Sequence, residues 1–206
     1  MDEKVLAIKR KTLFGENDER AFSGFVPAKD FALEGEKMNN AIFLYRKVAK
    51  EGQMKPAEED EEYKQLIAYL ILTHNKKIFC YKRTVKAGEQ RLRDKYSLGI
   101  GGHINPIDSG KESNLLTESM EREFNEEIEY SGGKEIKLLG YINDDLGAVE
   151  RVHFGVVFEV KLNNSNAKLR EKELDEGVFL TLEEIQKKYE NLESWGKITF
   201  DYLKKN

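Results

Sequence analysis

A single cysteine, Cys80, excludes an intramolecular disulfide and a multi-cysteine zinc site, and fits a reducing compartment. It stands in the apolar run Ile78, Phe79, Cys80, Tyr81, with no histidine in a recognisable arrangement beside it. It therefore reads as a small buried hydrophobe rather than a nucleophile. Long hydrophobic runs are lacking too: the most apolar stretch, residues 66–72, is far shorter than the ~20 residues a membrane helix needs. The acidic start Met1, Asp2, Glu3 lacks the charged-then-apolar pattern of a secretion signal, so a cytoplasmic protein is expected. Neither sign of charge dominates. With 34 Lys plus Arg against 38 Asp plus Glu, the net charge of −4 offers no general attraction to extended nucleic acid or to an anionic membrane. No internal repeat, linker or low-complexity segment is evident.

What remains is ample for one core. Hydrophobic residues make up 39% and charged residues 35% of 206 residues, which suits one well-cored domain plus an extension. Residues 5–14 read as a strand. Residues 39–49, with Ile42, Phe43, Tyr45 and Val48, suit a short helix. Residues 1–60 are taken as an N-terminal extension packed on or completing a domain at 61–206. Residues 66–72 and 78–81, joined by the polar His74, Asn75, Lys76 and Lys77, form a hairpin pattern. Leu116, Met120, Phe124 and Ile128 recur every four residues and predict a helix over 115–130, started by Ser113 or Asn114 and ended by Ser131, Gly132 and Gly133. Strands are expected at 136–142 and 152–162. Thr181 and Glu184 have capping-box spacing for a further helix, and a last helix covers 195–203.

The chemistry sits on the predicted helix at 115–130. With Phe124 centred on the buried stripe and about 100° per residue, Glu123, Glu126 and Glu127 share an arc of about 100° on one flank. Glu118, Glu121 and Glu129 fall on the other side. Like charges at this spacing repel by about a few tenths of a kcal/mol per pair, so the helix gains nothing from them unless a cation sits there. Mg2+ suits such an edge, because it takes hard carboxylate oxygens and keeps waters for a phosphorylated substrate. On periodicity alone, however, a solvated helix face is the simpler reading.

The wording of the segment decides otherwise. Gly101, Gly102, His103, Ile104, followed by Arg122, Glu123, Phe124, Asn125, Glu126, Glu127, Ile128, resembles the Nudix box, G-x5-E-x7-R-E-U-x-E-E-x-G-U, at roughly residues 101–130. The resemblance extends over roughly residues 65–185 and implies a Nudix-type α/β/α sandwich with a mixed β-sheet. Residues 96–108 are similar to a signature of a subgroup of MutT-like Nudix proteins described only as predicted phosphoesterases. By this resemblance Glu123, Glu126 and Glu127, with Gly102, hold the metal, Mg2+ with Mn2+ as the alternative. Arg122 orients the carboxylates, and Glu126 or Glu127, or Glu176 or Glu173 in a later loop, supplies the catalytic base. Arg83, Arg91, Arg93 and Lys95 form a basic loop suited to phosphate, and His103 and Tyr96 are further candidates for substrate contact. His153, Phe154 and Trp195 read as structural.

Two departures from the family pattern stand out. Asn114 takes the place of the first box glutamate, with Glu112 two residues earlier, which an insertion in residues 103–111 explains. Glu129 replaces the glycine after the paired glutamates, where a left-handed residue is disfavoured, so the helix is expected to run on to Gly132. The implied activity is metal-dependent hydrolysis of a diphosphate-linked, nucleotide-like small molecule by water attack on phosphorus. Nucleoside triphosphates, ADP-sugars and dinucleoside polyphosphates all qualify. An isoprenoid isomerase fits least, since the lone Cys80 lacks the surrounding residues. A homodimer is compatible with the chain, and the alternative to an enzyme is a Nudix-fold sensor that binds a nucleotide without cleaving it.

Overall fold

The computed structural model describes residues 3–83, 95–108, 115–170 and 177–206. Arg91, Arg93, Glu112, Ser113, Asn114, Glu173 and Glu176 lie outside the described residues. The strands are β1 (Lys4–Lys9), β2 (Gly24–Pro27), β3 (Ile42–Tyr45), β4 (Tyr63–His74), β5 (Lys77–Lys82), β6 (Tyr96–Ser97), β7 (Ile100–His103), β8 (Ile128–Glu129), β9 (Lys134–Asn143), β10 (His153–Leu162), β11 (Lys168–Leu169) and β12 (Val178–Leu180). The helices are α1 (Arg10–Phe14), α2 (Glu36–Asn39), α3 (Leu115–Glu127), α4 (Ala148–Arg151), α5 (Leu182–Gln186) and α6 (Ser194–Leu203). Among the described residues ten strands join a mixed sheet whose main path is β12-β5-β4-β10-β9-β2, and β8 pairs with β11 apart from it. The α/β class with a mixed sheet is thus as expected.

The chain forms two compact units, and β4, β7, β9, β10 and α3 each contribute residues to both. The first contains residues 1–68, 102–122 and 140–156. Here β1 pairs antiparallel with β3, Lys4 opposite Tyr45 through Ala7 opposite Ile42, and with the start of β4, Ala7 opposite Gln65. β2 pairs with β9, Gly24 opposite Asn143 through Pro27 opposite Gly140. The expected helix at 39–49 is therefore a strand. Ile42, Phe43, Leu44 and Tyr45 are contiguous rather than helically spaced, and the open backbone edge of β1 decides their conformation. The expected strand at 5–14 stops at Lys9, because a helical turn there buries Leu13 and Phe14. Phe14 then joins Phe22, Phe31, Tyr141 and Phe154 in an aromatic core with ring centroids 5.2 to 6.5 Å apart.

A partly buried charge network ties this unit down. Lys64 is fully buried and donates to Asp145 Oδ1 at 2.7 Å, while Arg10 grips both Asp145 oxygens at 2.9 and 2.6 Å. Burial pushes the Lys64 ammonium down, and Asp145 pulls it back. Burial also works against an ionised Asp145, yet its hydrogen bonds from Arg10 and Lys64 hold it well below the usual carboxylate range.

The second unit contains residues 69–101, 123–139 and 157–206. The expected hairpin is present: Thr73 opposes Ile78 and His74 opposes Lys77, so Asn75 and Lys76 make the two-residue turn. Both have positive φ, 47° and 61°, as a type I′ turn requires. β5 continues the sheet to β12, with Val178 opposite Cys80, and Cys80 is buried with its thiol pushed up to about 11 by burial. The Thr181 capping box forms at α5 with both reciprocal bonds, 2.8 and 3.3 Å.

Helix α3 buries Leu116, Met120 and Phe124 of the expected stripe, and Ile128 just beyond it is buried too. Its end is a correction: it stops at Glu127, and Ile128 and Glu129 are extended, paired with Leu169 and Lys168. Arg170 closes the terminus, its backbone N–H donating to Glu127 O at 2.8 Å and its Nε to Ile128 O at 3.0 Å. Glu129 is therefore not asked for the left-handed conformation that a glycine would adopt.

Removing an aromatic ring from the first unit's core leaves a cavity that its neighbours cannot close. Phe154→Ala is expected to cost about 3–5 kcal/mol in denaturant unfolding. Met54→Ala, at a side chain 92% exposed, changes stability by less than about 0.5 kcal/mol.

Candidate active site

The three box glutamates grade from core to water along the end of α3. Glu123 is 6% exposed, Glu127 is half-buried and Glu126 is exposed. A purely solvated helix face would not bury Glu123, since a carboxylate leaves water only where charge or hydrogen bonds compensate it. The donors are hard carboxylate oxygens, the right chemistry for a divalent cation. Among the described residues, however, no three acidic, histidine or cysteine side chains converge tightly enough to cage an ion. The set fits a metal in donor chemistry and not as a preformed cage.

In the same unit Arg83 lies just beyond β5, its backbone N–H donating to Lys95 O at 3.0 Å. Its Nε faces Glu193 Oε2 at 3.3 Å. Glu193 precedes α6 and is a residue that sequence reasoning missed. It accepts from Ser97 Oγ at 2.5 Å and from the Tyr69 hydroxyl at 3.4 Å. Burial pushes its carboxyl up and Arg83 opposes this. Ser97 Oγ also lies 2.8 Å from Gly99 O, so its one proton serves either acceptor. Tyr81 donates to Gly99 O at 3.0 Å. A Cβ at Gly99 would overlap the Tyr69 ring, which accounts for glycine there. The Glu127 charge acts on both Arg83 and Tyr81. Tyr96 is engaged, with Lys188 over its ring at 4.3 Å and its backbone O accepting from Glu193 N–H. Trp195 packs edge-on against Tyr69.

The first unit holds the other half of the sequence's candidates. Arg122 makes a two-pronged pair with Asp108, Nε to Oδ1 at 2.6 Å and Nη2 to Oδ2 at 3.0 Å, and donates to His103 O at 2.8 Å. Asp108 is buried and also accepts from Asn105 N–H at 2.7 Å. Sequence reasoning placed Asp108 at the end of the 96–108 signature without giving it a role. Gly102 lies on β7 in this unit, next to Gly101, whose φ of 133° favours glycine. His103 faces His153, Nε2 to Nε2 at 3.1 Å, and His153 Nδ1 lies 2.6 Å from Val149 O. A carbonyl only accepts, so Nδ1 of His153 carries its proton, Nε2 accepts, and His103 Nε2–H donates. Phe154 lies in the aromatic core, as expected.

No family model matches the chain. Protein YmaB of Bacillus subtilis (strain 168) is 32% identical over 209 residues, spanning 98% of each chain. Tm1382, a protein assigned to the Nudix hydrolases, is 29% identical with a TM-score of 0.74, again over 98% of each chain. The chain belongs to the Nudix hydrolase superfamily. The NUDIX domain of Shewanella oneidensis NrtR, solved with ADP ribose, shares the fold with a TM-score of 0.52 and 14% identity over 68% of this chain and 86% of that one. No helix of this Nudix protein among the described residues is long and apolar enough to cross a membrane.

The histidine pair makes the Nudix domain sensitive to acid. Burial lowers both rings below the ordinary 6.5, and for His103 the His153 charge is the next cause. The unfolded chain therefore takes up protons first as pH falls through about 6.5, and stability is lost there, while above it the pair contributes no pH dependence. Thermal unfolding should show the melting temperature falling from pH 7.5 to pH 5.5, with a smaller fall in His103→Gln. An equal fall in both proteins contradicts the pair's role.

Proposed function

We propose that this Nudix hydrolase cleaves a diphosphate-linked, nucleotide-like small molecule, with Mg2+ or Mn2+ held by Glu123, Glu126 and Glu127. The observation that carries this reading is the burial of Glu123 at the base of an acidic helix edge, where the helix itself gains nothing from three like charges. When bound, the cation would polarise a phosphoryl oxygen and lower the pKa of a water. Glu127, half-buried and within reach of the Arg83 charge, is suited to taking the proton of that water. Glu126 on the exposed side and Glu176 in the later loop are the other candidates for the base. Arg83 supplies a guanidinium for a phosphate, and Arg91 and Arg93 belong to the same basic loop in sequence.

Arg122, clamped by Asp108 and by the His103 carbonyl, ties the segment after the glycines to the first part of α3, which supports a positional role. Gly102 is carried over from the family pattern alone as a further metal residue. The pairing of β1 with β4 and of β2 with β9 supports reading residues 1–60 as an extension that completes the domain at 61–206. ADP ribose, the compound bound by the NUDIX domain of NrtR, supports the choice of nucleoside diphosphates as the first substrates to try. A cytoplasmic location fits both the lone reduced cysteine and such substrates.

The purified protein, incubated with Mg2+ or Mn2+ and a panel of ADP ribose, nucleoside triphosphates, nucleoside diphosphate sugars and dinucleoside polyphosphates, should release phosphate or a mononucleotide from one class. Glu127→Gln and Glu123→Gln should each lower kcat/KM by about 10²-fold or more, the scale of a lost general base. Saturable nucleotide binding without turnover would instead make the protein a sensor.

A further inference from the structure

Glu193 is a buried carboxylate that the proposed reaction does not use. Its side chain is 7% exposed, whereas that of its partner Arg83 is 28% exposed. Three donors converge on it: the Ser97 hydroxyl, the Tyr69 hydroxyl and Arg83 Nε. Its own backbone N–H is fixed to Tyr96 O at 3.0 Å. Tyr69 is held in turn by packing, with Trp195 edge-on at 5.4 Å and Gly99 leaving room for its ring.

Stability does not explain this arrangement. A buried ion pair costs about as much in desolvation as it returns, and well-packed apolar residues of similar volume are often as stable. What the pair does achieve is geometric. A free arginine is rotamer-rich, and a guanidinium held through Nε leaves both Nη groups available to a second acceptor. Among the described residues, no acceptor is found for the Nη groups of Arg83. The aromatic face of Tyr81 backs the guanidinium at 5.8 Å. The charge of the box residue Glu127 acts on it as well, so the guanidinium lies within electrostatic reach of the acidic end of α3.

We infer that Glu193 is a positioning residue that fixes Arg83 so that its free edge receives a substrate phosphate, an assignment that rests on the diphosphate-hydrolase reading. Glu193 itself touches no substrate. Its buried carboxylate is braced by Ser97 and Tyr69 so that the arginine, and not the glutamate, meets the anion. Sequence reading missed it because a glutamate before a C-terminal helix looks like any helix-start acid.

The test is a double-mutant cycle read by titration calorimetry with inorganic pyrophosphate in the presence of Mg2+. Glu193→Gln should weaken pyrophosphate binding about tenfold, equivalent to about 1.4 kcal/mol, while in an Arg83→Ala background the same change should alter it by less than about twofold. Glu193→Asp keeps the charge but withdraws it by one methylene, and carries the same prediction if the Gln variant does not fold. A merely structural role would lower the melting temperature and leave the pyrophosphate Kd unmoved in folded protein, which overturns the assignment. Equal losses in both backgrounds also overturn it, because Glu193 would then act without Arg83. Wild-type protein that neither binds pyrophosphate nor turns over the substrate panel overturns the hydrolase reading and this assignment together. Wild-type protein that does both, matched by Glu193→Gln in binding, overturns this assignment alone.

Discussion

A carboxylate withdrawn wholly or partly from water must be compensated by nearby positive charge or hydrogen-bond donors, and this protein has several. Asp145 is compensated by Arg10 and Lys64, Asp108 by Arg122 and a backbone amide, and Glu193 by Arg83 and two hydroxyls. Each arrangement fixes something that the sheet alone would leave loose. Asp145 and Lys64 join distant parts of the chain, 81 residues apart in sequence. Asp108 ties the segment after the glycine strand to the box helix. Glu193 sets an arginine. Glu123, buried at the edge of the same helix, belongs to this pattern, and its neighbours Glu126 and Glu127 add negative rather than positive charge. A divalent cation bound there, as proposed, would add positive charge and give the edge a chemical use.

Much of the fold was legible because local signals and tertiary packing agree there. Asn75 and Lys76 stand at a hairpin turn, and the residues before and after them are apolar strands that pair with each other. Thr181 and Glu184 make a capping box that needs only four residues to form. The four-residue recurrence from Leu116 to Ile128 is a helix stripe whatever surrounds it, although its last member is already extended.

The failures occur where a distant strand decides. Residues 42–45 become β3 because β1 offers them a ladder, and nothing within that segment announces it. The end of α3 is set by Arg170 and by β11, some 40 residues later, so no amount of local reading places it at Glu127. Within the candidate site, the carboxylates, Arg122 and Arg83 were readable from motif and charge. Asp108 and Glu193 were not, since a single acidic residue gains meaning only from the partners the fold delivers to it.

The central claim is that the acidic edge carrying Glu123, Glu126 and Glu127 binds a divalent cation, and thermal unfolding with and without Mg2+ tests it most directly. A ligand at about 100 times its Kd adds about 2.7 kcal/mol, and about 2–4 °C of melting temperature accompanies each kcal/mol in a chain of this size. The account predicts a rise of several degrees in wild-type protein and little or none in Glu123→Gln. No rise at millimolar Mg2+, or the same rise in the variant, would contradict it.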